Sequence, residues 1–405
     1  MKNINRNDIY LFFLIIALAL GNIGGALSFS RILGILLFPL IVVKLQSKAY
    51  AYTYSVLFFF FFWYAYNLLS LFWTSDIVQA KKELFYYIIH FVLFIEIMVF
   101  SKKASKPLST ISMAFMIAFL ITSVVGLWEL ITDNHLHLSK FQEDTTVNNG
   151  SGMLFHHRFA SVTFGNYNSY VTFICFCMPF IVYRLFVVGK GFVSKLFPMI
   201  AILLSILFLL FNASRGGILS MLVMISIFVY YSLFSKNKRN RQVICVLVLL
   251  VMVGSFCFTD IIFESLLYRL SGTNLVEDNS RINIWHDALR VFYDSYGIGS
   301  GVGSLSRSMG EVATQTFIAT HNMLLELLVQ YGCVIFFIVI LFLYKLLKRA
   351  FVIRDKSRKF LLLLALFPLP IYLIIDSSYL LSPSLYIFVS SLYVFANYEC
   401  IRYSH

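Results

Sequence analysis

Long uncharged apolar stretches recur along the whole chain, and they constrain its fold more than any other feature. Hydrophobic residues make up 60% of the 405 residues and charged residues 13%, against about 25% charged in soluble globular proteins. A soluble domain has too little interior to bury so much apolar surface. The sequence therefore predicts an all-α polytopic membrane protein with the lipid bilayer as its partner. It excludes a soluble enzyme, a disordered chain and a disulfide scaffold.

The uncharged apolar runs predict about 12 transmembrane helices in a single membrane domain over residues 1–405, because a spanning helix needs about 20 apolar residues. The predicted spans are 9–27, 28–43, 51–73, 84–100, 107–131, 168–183, 196–212, 216–234, 242–258, 318–344, 360–375 and 380–397. The first run also fits a signal peptide, since basic residues precede it. The spans that follow at once favour a membrane anchor.

Basic residues predict the orientation of these spans. With the N-terminus inside, 22 of the 32 Lys and Arg residues fall on the cytoplasmic side, although the segments there are short. An even number of spans then places both termini in the cytoplasm. The net charge of +13 belongs mainly to these inner loops, where it faces anionic lipid. Since no basic folded face remains, no nucleic-acid partner is expected.

Two long segments, residues 132–167 and 259–317, lie outside the cell in this topology. In the second, large apolar residues recur at helical spacing, which is typical of an amphipathic helix at a membrane surface over about 280–296. They are Ile282, Trp285, Leu289, Phe292 and Tyr296. Amphipathicity alone leaves a structural lid and a substrate-facing helix equally open.

A glycine-rich segment follows this predicted helix, with glycine at every second position from Gly297 to Gly303. Gly299 and Gly301 would let the backbone approach an anionic ligand closely. The spacing is not that of a dinucleotide-binding motif. A tight turn that returns the chain to the membrane explains the glycines slightly better.

Arg215, Arg281 and His321 each stand at a loop–helix junction on the predicted outer side. Arginine binds phosphate through a planar, permanently charged fork, and histidine can accept a proton near neutral pH. Each residue alone is more often structural. Together they meet the needs of a diphosphate leaving group and an acceptor hydroxyl, so they are the predicted catalytic residues.

Further polar residues near these junctions are predicted to bind substrate. They are Arg158, Asn166, Asn168, Trp285, Asn322 and Glu326, together with Gly299 and Gly301. Asparagine side chains can hydrogen-bond to sugars, although they equally form turns. The outer loops contain no Asp-x-Asp motif and no His or Cys pair at metal-ligand spacing, so neither a metal nor another cofactor is expected.

In their order and spacing, these motifs resemble those of the O-antigen polymerase and O-antigen ligase superfamily of bacterial glycosyltransferases. The resemblance extends over most of the chain from about residue 70. The matching pieces are Leu71–Asp76, Arg158 with Gly165–Asn168, Ser214–Gly217, Arg281 with Trp285, the glycines of 297–303, and His321-Asn322 followed by Gly332. The chain fits the ligase pattern as far as Gly332 and departs from it at Ile335, where the pattern has a small residue or Tyr.

The resemblance implies a GT-C-like fold in the bacterial inner (cytoplasmic) membrane and a metal-independent, inverting glycosyltransferase with its active site on the outer face. The donor would be a polyprenyl-diphosphate-linked glycan, with Arg215 and Arg281 at the diphosphate and His321 at the acceptor. A polymerase, which adds the glycan to another lipid-linked repeat unit, is favoured over a ligase, which transfers it to lipid A core or another acceptor.

A chain-length regulator and a flippase are candidate partners, and the sequence does not decide whether the regulator binds. A polysaccharide transporter or flippase is the less favoured class of function for the chain itself. Transporters place ionisable residues near the bilayer midplane, and Glu326 is the one residue whose predicted position fits that pattern.

Overall fold

The structure, a computed structural model, is predominantly helical, as the apolar runs predict. It describes residues 5–24, 27–137, 146–148, 154–156, 158–188, 192–233, 272–312 and 320–403. In these ranges, helices long and apolar enough to cross a membrane are Lys48–Phe72, Ile77–Lys103, Pro107–Thr132, Tyr167–Val187, Ser194–Phe211 and Met323–Val352. The chain is therefore a multi-pass membrane protein. The count of twelve spans stays a prediction, and the ninth, 242–258, lies outside the described residues.

The described residues form the following α-helices. In chain order they are α1 (Arg6–Ile16), α2 (Phe29–Leu45), α3 (Tyr54–Leu69), α4 (Ile77–Lys103), α5 (Pro107–Thr132), α6 (Tyr167–Tyr183), α7 (Phe192–Phe211), α8 (Arg215–Leu233), α9 (Gly272–Asp294), α10 (Leu305–Val312), α11 (Met323–Val352), α12 (Lys356–Leu366), α13 (Leu369–Tyr372), α14 (Pro383–Ala396) and α15 (Tyr398–Tyr403). Two short antiparallel strand pairs accompany them, Asn22–Gly24 with Leu27–Ser28 and Thr146–Asn148 with Leu154–His156.

Local sequence explains where several helices begin and end. The Asp76 side chain accepts hydrogen bonds from the first turn of α4, and Asp355 does the same for α12, because free N–H groups at a helix start need acceptors. The predicted span 360–375 is not one helix: α12 ends at Leu366 and α13 begins at Leu369. Pro368 and Pro370 break it, since proline lacks an N–H and its ring clashes with the preceding turn.

The chain divides into two compact units. The first comprises Met1–Thr110, Asp278–Val352 and Asp376–His405, and the second comprises Ile111–Glu277 and Ile353–Ile375. Within the first, α4 packs against α1, α2, α3 and α14. Within the second, α6 packs against α7, α8 and α12 and is buried along its whole length. A helix surrounded in this way must be apolar on every face. The predicted single membrane domain stays a prediction.

Helix α9 lies in the segment where an amphipathic helix is expected. It packs against α10 and α11 through a small apolar core formed by Ile284, Ala288, Val291, Met309, Leu325 and Val329. Three residues of the predicted apolar face, Ile282, Leu289 and Tyr296, are instead 64%, 39% and 95% exposed. Tyr296 follows the end of the helix, and the buried face includes the small Ala288, which the spacing of large residues does not reveal.

Parts of both predicted outer loops lie outside the described residues. They are 138–145, 149–153 and 157 of the loop 132–167, and 259–271 and 313–319 of the loop 259–317.

Candidate functional site

His321 precedes α11 in a left-handed backbone conformation, with φ of 46°. Asn322 caps the helix, because its Oδ1 accepts hydrogen bonds from two N–H groups of the first turn at 3.1 and 3.2 Å. On the other side of His321, the Thr320 carbonyl oxygen accepts a hydrogen bond from Trp285 Nε1 at 2.8 Å. The residues on both sides of His321 are therefore held in place. Strained backbone that its surroundings hold in place is typical of functional sites.

Trp285 also connects the His321 segment to the helix that carries Arg281. Arg281 and Trp285 are four residues apart in α9, and residues at this spacing share one helix face. Arg281 is half-buried, whereas Arg290, nine residues further on and therefore on the opposite face, is exposed. The hydrogen bond from Trp285 thus fixes the Arg281-bearing helix to the backbone beside His321.

Glu326, predicted to bind substrate, is buried in α11 with 3% exposure. Its Oε1 accepts hydrogen bonds from the Thr320 hydroxyl at 3.3 Å and from the Ser378 backbone N–H at 2.7 Å. The Ser378 backbone is left-handed, with φ of 58°. The carboxyl group therefore holds two turns of backbone in place, one of them directly before His321. This geometry indicates a positioning residue, and substrate contact by Glu326 stays a prediction.

The glycine segment packs directly against other backbone. A Cβ atom on Gly299 would lie 2.4 Å from Gly332 N, and one on Gly301 would lie 3.1 Å from Ser70 O. The backbone N–H groups from Gly299 to Gly303 all donate within the protein, to Ser295 Oγ, Val329 O, Gln330 O, Ser70 Oγ and Glu83 Oε2. Donors already in use cannot also bind an anion. The geometry favours the tight-turn alternative over ligand binding by Gly299 and Gly301.

In the second unit, Arg215 begins α8 after a turn formed by Asn212, Ala213 and Ser214. The backbone of Ala213 is left-handed, with φ of 45°. The buried side chain of Asn212 pairs with the backbone of Ala160 in both directions. Its Oδ1 accepts from the N–H at 2.8 Å, and its Nδ2 donates to the carbonyl oxygen at 2.9 Å. This amide fixes the turn before Arg215 to the segment that begins at Arg158.

Arg158, Asn166 and Asn168 have structural contacts in this structure. Arg158 Nη1 donates to the carbonyl oxygens of Leu130 and Ile131 at 2.9 and 3.1 Å, which satisfies the last turn of α5. Asn166 caps α6 by accepting from the Asn168 N–H at 2.6 Å, and Asn168 is buried. Substrate binding by these residues stays a prediction.

Sequence reasoning missed Glu129 and Asn212. Glu129 is fully buried, and its Oε2 accepts hydrogen bonds from the N–H groups of Ser161 and Val162, both at 2.8 Å. Its Oε1 lies 3.3 Å from His135 Nδ1. One signal was present in each case: Glu129 is a single acid at the end of an uncharged run, and Asn212 directly precedes the Ser-Arg-Gly-Gly motif.

The structure therefore groups the predicted residues in two clusters. In the first unit, Trp285 and Glu326 both hydrogen-bond to Thr320, directly before His321 and Asn322, and Arg281 lies one helical turn before Trp285. The second unit connects Arg158 and Arg215 through Ala160 and Asn212. A shared pocket for Arg215, Arg281 and His321 stays a prediction. The described part of the chain contains no group of three or more His, Cys, Asp or Glu side chains that could hold a metal ion, and metal independence also stays a prediction.

These observations define a class: a multi-pass helical membrane protein whose strained polar turns lie at helix ends. Residues 200–340 match the family model described as O-antigen ligase. The teichuronic acid biosynthesis protein TuaE of Bacillus subtilis (strain 168) is 23% identical over 286 residues, which cover 66% of this chain and 54% of TuaE. The chain thus spans about half the length of that relative. Both findings support the resemblance of the motifs to the superfamily of O-antigen polymerases and ligases.

Proposed function

We propose that this protein is a membrane glycosyltransferase that polymerises an O-antigen- or capsule-type polysaccharide on the outer face of the cytoplasmic membrane. The range matched by the O-antigen ligase family, residues 200–340, contains Arg215, Arg281 and His321. A relative is named for the biosynthesis of teichuronic acid. Both comparisons support a role in making cell-envelope glycans.

One observation carries the proposal: the hydrogen bond from Trp285 to Thr320 joins the helix of Arg281 to the strained backbone of His321. A guanidinium and an imidazole on adjacent, firmly held segments suit a reaction in which a phosphate leaves and a hydroxyl loses its proton. Preorganised groups of this kind need little rearrangement when charge develops in the transition state.

In the proposed reaction, the acceptor hydroxyl oxygen attacks the anomeric carbon of a polyprenyl-diphosphate-linked glycan. The bond from that carbon to the diphosphate oxygen breaks at the same time, and attack from the opposite side inverts the anomeric configuration. His321 accepts the proton of the hydroxyl. Arg281 stabilises the negative charge of the departing polyprenyl diphosphate. Arg215 is assigned the same function and is tested separately, because it belongs to the other unit.

Purified full-length protein in liposomes, supplied with synthetic lipid-linked repeat units, tests the proposal through the ladder of products on a gel. His321→Ala, Arg281→Ala and Arg215→Ala should each reduce product by about 100-fold or more. His286→Ala and Arg290→Ala are matched controls, since both residues are exposed on α9. Unchanged ladders in all three test variants would falsify the assigned roles.

A ligase is the second candidate, because the matching family model is described as O-antigen ligase. The same assay separates the two activities. A polymerase should extend glycans when lipid-linked repeat units are both donor and acceptor. A ligase should form product only after a different acceptor, such as lipid A core, is added.

A further inference from the structure

A groove of about 480 Å³ lies in the first unit between α3, α11 and α14. Aromatic rings form its wall. The ring centroids of Phe59 and Phe342 are 5.4 Å apart, and those of Phe342 and Tyr393 are 6.1 Å apart. A groove of this size and lining is suited to an acyl chain, because ligand sites are commonly 300–1,000 Å³ and mostly apolar.

One end of the groove is basic. Lys345 and Arg349 line it one helical turn apart on α11, and no acidic residue lines it. Arg349 donates Nε to the Ala396 carbonyl oxygen at 3.3 Å. Among the described residues, neither cation forms an ion pair with a carboxylate. Two such cations beside an apolar groove are complementary to a lipid with an anionic headgroup.

A second groove in the same unit provides a contrast. It has a volume of about 260 Å³, lies between α2, α3 and α4, and has no charged residue in its lining. Such a groove has no group that would distinguish an anionic lipid from a neutral one. Selection by headgroup charge is therefore expected only at the groove that contains Lys345 and Arg349.

We propose that the groove between α3, α11 and α14 binds an anionic phospholipid of the cytoplasmic leaflet. The lipid phosphate contacts Lys345 and Arg349, and an acyl chain lies along Phe59 and Phe342. The predicted topology places these two cations on the inner side, where the membrane surface is negative and attracts basic residues. This site is independent of glycan transfer.

Native mass spectrometry of the delipidated full-length protein, titrated with phosphatidylglycerol or phosphatidylcholine, tests the site. Phosphatidylglycerol should bind more tightly. Lys345→Gln with Arg349→Gln should weaken it by about 25-fold, at roughly five-fold for each cation near an anionic lipid. Lys348→Gln is the matched control, because Lys348 is exposed on the same helix and does not line the groove. It should change the affinity less than two-fold.

Two further measurements keep the test independent of how well the double variant folds. Ser55→Trp fills the groove while both cations remain, and it should also abolish selective binding. In the unmodified protein, raising the salt concentration should weaken phosphatidylglycerol binding, since salt screens exposed charges. Equal affinity for both lipids, no effect of salt, or displacement of phosphatidylglycerol by an equimolar polyprenyl phosphate would each overturn the proposal.

Discussion

Val162, Ala213 and His321 all have positive φ angles, of 56°, 45° and 46°. None is glycine, so each such conformation costs about 1–3 kcal/mol. Hydrogen bonds beside each residue offset this cost: Glu129 accepts from the Val162 N–H, Asn212 precedes Ala213, and Trp285 bonds to the carbonyl before His321. The strained backbone is therefore held in place by hydrogen bonds at or directly beside each of these residues.

The first prediction concerns Trp285. In Trp285→Phe a smaller aromatic ring replaces the indole and the hydrogen bond to Thr320 O is lost, so the backbone beside His321 is less firmly held. Glycan transfer should fall roughly ten-fold or more, because small misplacements of reacting groups are costly. The midpoint of thermal unfolding should change little, as one hydrogen bond contributes about 1 kcal/mol. Trp128→Phe is the control, since Trp128 is 41% exposed. Equal losses in both variants would contradict the prediction.

The second prediction concerns Asn212. Asn212→Ala leaves the N–H and the carbonyl of Ala160 without their partner in a buried place. Each unsatisfied buried group costs about 1–3 kcal/mol, so the midpoint of thermal unfolding in detergent should fall clearly. Asn134→Ala should leave it unchanged, because Asn134 is exposed at a loop. A stable Asn212→Ala variant with full activity would show that this pairing does not hold the Arg215 turn.

At the scale of elements, the glycine segment and the break in α11 form one unit of backbone packing. Gly332 has φ of 66° inside α11, which interrupts the regular helix there. The backbone around Gly332 packs against the segment from Gly297 to Gly303. The Gly297 carbonyl oxygen accepts from Cys333 N–H at 2.9 Å, and the Trp73 indole donates to the Gly299 carbonyl oxygen at 3.0 Å. Glycine is required here because backbones approach too closely for a Cβ atom.

Gly299→Ala should therefore destabilise the protein strongly, by about 3 kcal/mol or more. The new Cβ would lie 2.4 Å from Gly332 N, and the backbone would keep φ of 85°. Gly310→Ala is the matched control in α10, where a Cβ atom meets nothing within 4 Å. That substitution should be neutral or stabilise the helix by up to about 1 kcal/mol. Thermal unfolding of both variants checks the prediction, and equal midpoints would refute it.

For the whole molecule, the predicted topology can be tested by labelling with a membrane-impermeant maleimide. Cys400 is exposed near the C-terminus and should react only after the membrane is permeabilised, because the tail is predicted to be cytoplasmic. Arg307→Cys, in a chain whose native cysteines are replaced, should react in intact cells. Arg307 is exposed and pairs with Glu311, which is exposed too, so the substitution should cost little stability. The reverse labelling pattern would show that the topology is inverted and that the proposed site lies on the inner side of the membrane.

Hydropathy is a sum over neighbouring residues, so the helical, membrane-spanning character could be predicted without a fold. The order of the superfamily motifs could be recognised too, because it is read directly along the chain. The roles of individual polar residues could not. Whether Glu326 or Arg158 binds a ligand or holds backbone in place depends on partners far away in the chain, Ser378 for Glu326 and Leu130 for Arg158. The requirement for glycine in 297–303 follows from the close approach of Gly332 and Ser70, which the sequence does not reveal. Hydrogen bonds between distant segments assign those roles, and only the folded backbone brings their donors and acceptors within reach.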